Sequence, residues 1–272
     1  MNQVRPKIIA EIGWNHMGDM DLANKMIQEA ANSGADIAKF QTWKVERLKN
    51  GDWDNDGRRE IYIKAELSEE KHKFLIQSCR DKSIKFMSSA FSVEDAELLN
   101  KLNCECVKIP SFEIANKPLL LYCKENFSTI YVSTGTANTT EIKDLSELFS
   151  EWEGKLIVMH CVSAYPCKAS QINLPRIKHL KKLFPLVGFS DHTQGILSTI
   201  ASIEFLPVAI EKHFTIDHSL PGRDNKFAIL PKEMNLLSKY IDNRIESLND
   251  HGINFQEIEN TSRDNYRGRF NG

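Results

Sequence analysis

The chain alternates short β-rich runs with longer amphipathic segments, and it does so eight times. The runs are "KIIAEIG", "ADIAKFQ", "KFMSSAF", "CVKIPS", "STIYVSTG", "LIVMHCV", "LVGFSDH" and "PVAIEKHF". Between them lie stretches of helical periodicity, among them "DMDLANKMIQEAANSG", "SEEKHKFLIQSCRDKS", "SVEDAELLNKLN", "TTEIKDLSELFSEW" and "GILSTIASIEF". Several open on an acidic or hydroxyl cap, and the first ends at Gly34. Eight strand-helix units in 272 residues predict an α/β chain folded as a (β/α)8 TIM barrel, which takes roughly 250 residues and buries its strands on both faces. A doubly wound open sheet is the competitor. Against it, the first strand-helix turn, "EIGWNHMGD", lacks a G-x-G-x-x-G phosphate loop and carries a carboxylate and a histidine instead.

No linker or low-complexity segment interrupts this pattern, so the expectation is one domain over 1–272. One irregular insertion, "TWKVERLKNGDWDNDGRREIYIKAE", makes 42–67 a long loop after the second strand. Loops of that length are usually functional covers or disordered. The charges, Trp43 and Trp53 suit an active-site cover, and a solvated excursion is the alternative.

Composition narrows the partners. The 35 Lys+Arg and 37 Asp+Glu leave a formal net charge of −2, too little field to grip nucleic acid or an anionic membrane. No run of about 18 apolar residues exists to span a bilayer. The lead into the first strand, "MNQVRPKIIAEIG", lacks the apolar region of a signal peptide. The six cysteines form no C-x-x-C pair and sit mostly in apolar segments, as reduced core thiols of a cytoplasmic protein do, with a metal site as the alternative. Small molecules or further copies of the chain are the expected partners.

In a barrel of this type the active site lies at the C-terminal ends of the strands. Polar residues collect there on every strand. They are Glu11 with Asn15 and His16, Lys39 and Gln41, Ser88 and Ser89, Lys108 and Ser111, and Ser133 and Thr134. The later strands add His160 with Ser163 and Tyr165, then Ser190, Asp191 and His192, and finally Glu211, Lys212 and His213 followed by Asp217 and Asp224. A lysine within an apolar strand costs several kcal/mol unless an anion compensates it. Lys39 and Lys108, with the surrounding hydroxyls, therefore point to a phosphate or carboxylate pocket; pairing with Glu11 or Glu211 is the structural alternative. His192 and His213 end neighbouring strands, where two imidazoles can share a divalent cation, with Glu11 across the mouth. Of Glu211 and Lys212, which point opposite ways along their strand, one suits an ion pair near the barrel wall.

These residues resemble the phosphoenolpyruvate-dependent nonulosonic acid synthases, the sialic acid synthase (N-acetylneuraminate synthase) group. The matching stretches run in order along nearly the whole chain: "IIAEIGWNHMGD", "GADIAKFQT", "FMSSAFS", "VKIPSFEIAN", "VSTGTA", "HCVSAYP", "GFSDHTQG" and "EKHFTIDHSLPGRDNKFAILPKEM". The resemblance implies a cytoplasmic transferase of carbohydrate biosynthesis that condenses phosphoenolpyruvate with an open-chain amino sugar. By resemblance, Lys39 and Lys108 with Ser89, Ser111, Ser133 and Ser190 hold phosphoenolpyruvate. His192 and His213 bind Mn or a similar cation (Mg, Co, Zn). Glu11, Gln41, Tyr165 and Asp224 touch the sugar or the attacking water. Ser163 departs mildly, since some members have an amide there. This fits the chemistry, which needs anion-binding lysines, a Lewis acid on the aldehyde oxygen, and a carboxylate to move protons.

Familiar members continue into a small antifreeze-protein-like domain, and 258–272, "SRDNYRGRFNG" included, falls where that linker would begin. Acceptor recognition is then expected to draw on a separate lid-domain protein, on the 42–67 segment, or on a sugar that needs neither. A homodimer is expected by the same resemblance. Two other readings stay open. One is a synthase for phosphorylated aldoses, as in 3-deoxy-octulosonate or deoxyheptulosonate formation, with Arg223 and Arg47 as candidate second-phosphate ligands. The other is a non-catalytic barrel subunit.

Overall fold

Strand propensity and two-sided burial close the eight apolar runs into one barrel. A computed structural model describes residues 4–51 and 54–270, and in it eight parallel strands follow one another in chain order around a closed barrel. They are β1 Lys7–Gly13, β2 Ile37–Thr42, β3 Lys85–Ala90, β4 Cys106–Ile109, β5 Thr129–Ser133, β6 Lys155–His160, β7 Val187–Asp191 and β8 Ala209–His213. The helices α1 Met20–Asn32, α2 Arg58–Ala65, α3 Glu69–Asp81, α4 Val93–Lys101, α5 Lys117–Asn126, α6 Thr139–Leu148, α7 Arg176–Leu180, α8 Leu197–Ser202, α9 Pro231–Ser247 and α10 Asn260–Tyr266 complete the regular structure. The (β/α)8 barrel read from the sequence is the fold observed.

Local chemistry explains the helix starts. Asp19, Ser68, Ser92 and Asn116 each accept a backbone N–H of the first turn they cap. Asn138 and Glu141 form a reciprocal capping box at α6. Two apolar shells fill the space between strands and helices, one under α4 to α7 and one under α1, α3 and α9. Ile9, Ile37, Met87, Tyr131, Ile157, Met159 and Ala209 plug the barrel's interior below the mouth.

The 42–67 segment corrects the expectation of an irregular loop. It carries a 3-10 turn, Val45–Arg47, and the helix α2. Its two ends are clasped by Glu66, whose carboxylate accepts from Lys44 Nζ at 2.6 Å and Val45 N at 2.9 Å, and Arg47 pairs with the buried carboxylate of Asp95 on α4. Trp53, named above with the cover, lies outside the described residues. All six cysteines are free thiols, four of them buried. No helix among the described residues is long and apolar enough to cross a membrane.

Candidate active site

Strand alternation decides which strand-end residues enter the barrel. Across β7 and β8, Ser190 stands opposite Glu211 and Asp191 opposite Lys212, so Ser190, His192, Glu211 and His213 share the inner face while Asp191 and Lys212 turn outward. Around the barrel, Glu11 pairs in register with Lys39, Gln41 with Ser89, Ser89 with Lys108 and Glu11 with His213. The result is one cavity of about 500 Å³. Glu11, Lys39, Gln41, Ser89, Lys108, Ser111, Ser133, Ser163, Tyr165, Ser190, His192, His213 and Asp224 all line it.

Its floor is a chain of alternating charges, Glu11–Lys39–Glu211–Lys108. Lys39 Nζ lies 2.6 Å from Glu11 Oε2 and 3.7 Å from Glu211 Oε2, and it donates to Ser89 Oγ at 3.2 Å. The Glu11 contact is close in distance but outside hydrogen-bond angles, so it acts through charge. Lys108 Nζ donates to Glu211 Oε2 at 2.8 Å, and Ser190 Oγ donates to Glu211 Oε1 at 2.9 Å. Lys39, Lys108, Glu11 and Glu211 are all at most 5% exposed. Both lysines thus have carboxylate partners as well as a cavity in front of them.

The lysine charges divide the two acids against a common background of burial. Burial works to raise both, and at Glu11 it outweighs the pull of Lys39, with Glu211 adding to the rise. At Glu211 the charges of Lys108 and Lys39 together win and hold its carboxyl well below the usual range. Lys39 stays charged because Glu11 and Glu211 outweigh its own burial. Gln41 Nε2 donates to Glu11 Oε1 at 2.8 Å and fixes the acid's orientation. Gly13, where β1 shifts register, has φ +56°, and a Cβ there would stand 3.1 Å from Glu11 Oε1.

Beside these charges, at the ends of β7 and β8, the imidazoles of His192 and His213 lie 5.5 Å apart, centroid to centroid, with Tyr165 packed 4.4 Å from His192. The His192 Nδ1–H donates to the Val162 carbonyl at 2.9 Å, which leaves its Nε2 lone pair free. Burial lowers both imidazoles, His213 well below the ordinary value with His192 and Lys39 adding to the effect, so both are neutral at pH 7. Among the described residues His213 Nδ1 is buried without a hydrogen-bond partner, and the nearest carboxylate oxygen, Asp224 Oδ2, is 3.7 Å away. A buried, neutral, unpartnered imidazole beside a second one is a donor set that fits a divalent cation. Among the described residues no three His, Cys, Asp or Glu side chains form a ready-made cage. The chain thus offers two imidazoles, and a cation held there would take its remaining ligands from water or substrate oxygen.

The other strand-end candidates do not enter. Ser88 bonds Thr42, Thr134 the Met159 carbonyl and His160 the Ile172 carbonyl, while Asp191 pairs with Lys212. Asn15 bonds the Phe214 carbonyl, His16 accepts from Gly18 N, and Asp217 bonds Ser219 N. Conversely, the cavity includes residues the sequence reading passed over. Glu211, a strand-end residue expected chiefly as a structural partner for a lysine, lines the cavity, as its parity with His213 requires. Trp14, Tyr62, Phe91 and Phe112 form an aromatic outer wall with Trp43; they sit on loops and on α2, where no strand pattern points to them. Tyr62 stands edge-on to Trp14 at 5.5 Å and to Trp43 at 5.7 Å. Arg223 lines the mouth but leans on Asp224 and over the Tyr165 ring, whereas Arg47 is turned to Asp95 and does not line the cavity.

Known proteins share both the sequence and the barrel. N,N'-diacetyllegionaminic acid synthase of Campylobacter jejuni is 36% identical over 86% of this chain and 75% of its own length. N-acetylneuraminate-9-phosphate synthase of Drosophila melanogaster is 31% identical over 87% of this chain and 67% of its own. The structure of N-acetylneuraminic acid synthetase from Leptospira borgpetersenii, in complex with citrate, superposes with a TM-score of 0.85 at 31% identity, covering 97% of this chain and 93% of that one. A 3-deoxy-D-arabino-heptulosonate 7-phosphate synthase from Thermotoga maritima, at 13% identity and a TM-score of 0.70, shares the fold alone. The NeuB family itself matches residues 26–252. Agreement over that length, at identities the shared barrel by itself does not produce, means that this chain belongs to the NeuB family.

Proposed function

We propose that the cavity condenses phosphoenolpyruvate with the open-chain form of an N-acetylated amino aldose, N-acetylmannosamine or a related amino sugar. The products are a sialic acid-type 2-keto-3-deoxy sugar acid and inorganic phosphate. The observation that carries the reading is that two lysines, two neutral imidazoles and a carboxyl group with raised affinity for protons converge on one cavity. Lys39 and Lys108, with Ser89, Ser111, Ser133, Ser163 and Ser190, take the phosphate and carboxylate, the incoming anion replacing contacts now made by Glu11 and Glu211. His192 and His213 would hold Mn, or Mg, Co or Zn, and a cation there supplies Lewis acidity toward the aldehyde oxygen.

The methylene carbon of phosphoenolpyruvate forms the new C–C bond to the aldehyde carbon, whose π electrons pass to its oxygen and are met by a proton. Water adds to the cationic carbon left behind, and the C–O bond to phosphate then breaks to leave the ketone. Glu11, oriented by Gln41, is placed to move a proton to or from the reacting oxygens. Asp224 and Tyr165 contact the sugar. No Schiff-base lysine is needed. A phosphorylated aldose would ask for more free cations at the mouth, where Arg223 is engaged by Asp224.

The test is phosphate release from phosphoenolpyruvate with added Mn, scanned over N-acetylmannosamine, related amino sugars and arabinose 5-phosphate, with and without chelator. Chelator-sensitive release with an unphosphorylated N-acetyl sugar supports the reading. Release only with arabinose 5-phosphate moves it to the phosphorylated-aldose class, and silence with every acceptor counts against catalysis by the chain alone.

A further inference from the structure

The outward-facing residues between the two histidines and the rest of their strands form a second, closed network. Lys212 and Asp191 face each other directly across β7 and β8, one rung before His192 and His213. Their side chains are 1% and 0% exposed, and Lys212 Nζ meets Asp191 Oδ2 at 3.0 Å. Asp191 also accepts from Thr193 N at 2.8 Å, Thr193 Oγ1 at 3.1 Å and Thr199 Oγ1 at 2.5 Å. Lys212 Nζ donates to the Thr193 carbonyl as well. One ion pair therefore grips the residues on both sides of His192 and the residue before His213, and it ties both to the start of α8.

This location is hard to explain by stability. A fully buried ion pair loses so much hydration that an apolar pair of similar volume is often as stable or more so. What a charged pair with many directed hydrogen bonds does better is hold one geometry. His213 needs that, because among the described residues its ring Nδ1 has no hydrogen bond to orient it, and non-directional packing against Phe227, Tyr165 and His192 steadies the ring without fixing its rotation. His192 is held by its own Val162 contact and by Cys167 N donating to its carbonyl at 2.8 Å.

Building on the metal-binding part of the proposed function, we infer that Lys212 and Asp191 are positioning residues that set the separation and direction of the His192 and His213 imidazoles for a divalent cation. They touch neither cation nor substrate. Removing them changes how the site holds the cation more than it changes the fold.

The experiment titrates Mn(II) alone into the metal-free full chain, by calorimetry and by the electron paramagnetic resonance signal of free Mn(II), and records melting of the same samples without metal. Three variants are compared with the parent: Asp191→Leu with Lys212→Met, Thr199→Val, and His213→Ala. The expected result is that the Leu/Met pair melts cooperatively at or above the parent temperature while its Mn dissociation constant rises about 10- to 100-fold. Thr199→Val, which removes one bond to Asp191, gives a smaller rise in the same direction. Parent-like Mn affinity in the folded Leu/Met variant overturns the inference and leaves the proposed function standing. Should that variant not fold, parent-like affinity in Thr199→Val overturns it instead. If His213→Ala binds Mn as the parent does, the metal reading falls and the inference falls with it.

Discussion

The two halves of the barrel interior are built from the same strands and differ by one step along them. In the lower layer the inward residues are Ile9, Ile37, Met87, Tyr131 and Ala209, packed against Ile157 and Met159. Two residues further on, the same strands present Glu11, Lys39, Ser89, Ser133 and Glu211. The lower layer gains stability by excluding water and has no polar atom to satisfy except the Tyr131 hydroxyl, whose acidity burial pushes to about 12. With Lys108 of β4 the upper layer buries four charged side chains, which is expensive, and leaves a cavity where a close-packed core would have none. Stability and chemistry are thus stacked along one axis, and each layer can be perturbed with the other as control.

The largest expected effect is in the upper layer. His213→Ala, or chelation of the parent protein, should lower kcat/KM on the order of 10³-fold, with little change in the melting temperature of the metal-free chain; turnover that survives both would break the contrast. Met87→Ala, one layer down, should do the reverse, costing about 2–5 kcal/mol of unfolding free energy by urea titration while KM stays near the parent value. Lys39→Met should act mainly on KM for phosphoenolpyruvate, by about 10- to 100-fold, since it removes charge-assisted bonds to the anion. A pure kcat effect would instead place Lys39 with the reacting atoms.

A pH series sharpens the comparison further, because two histidines lie outside both layers. Burial holds His16 and His160 at about 4, against an ordinary value of 6.5. As pH falls, the unfolded chain takes up these protons before the folded one does. Stability is therefore full above about pH 6.5 and declines toward pH 4, by up to about 1.4 kcal/mol per pH unit for each imidazole. His160→Gln should flatten that slope in denaturation curves between these limits, and an unchanged slope would remove His160 from the acid response. Smallest of all, Lys7→Ala at the barrel's lower rim breaks a contact to Asp36 whose lysine is 60% exposed; a change beyond about 1 kcal/mol, or any effect on turnover, would contradict the ordering.

Much of this was legible before any coordinates. Parallel barrel strands are buried on both faces, so they stand out as continuous apolar runs, and all eight appear where they were read. Their polar ends then marked the mouth, and the thirteen residues assigned by chemistry and resemblance line one cavity. The segment 42–67 was harder, because α2 has a weak apolar stripe, and the segment is held by Glu66, by Arg47 on Asp95 and by neighbouring aromatic rings rather than by its own pattern. The aromatic wall is illegible for the same reason: Trp14, Tyr62 and Phe112 come to line one cavity only after the chain has folded.

The sequence by itself determined the barrel, the direction in which its polar strand ends point, and the types of group gathered there, since those depend on local periodicity and on short-range alternation. Only the tertiary structure decided the pairings. Which acid faces which lysine, that Asp191 and Lys212 close on each other behind the wall, and that His213 Nδ1 is left without a hydrogen bond among the described residues all depend on register between strands far apart in the chain. Register is a property of the closed barrel, fixed when every strand has found its neighbour, and no single strand carries it.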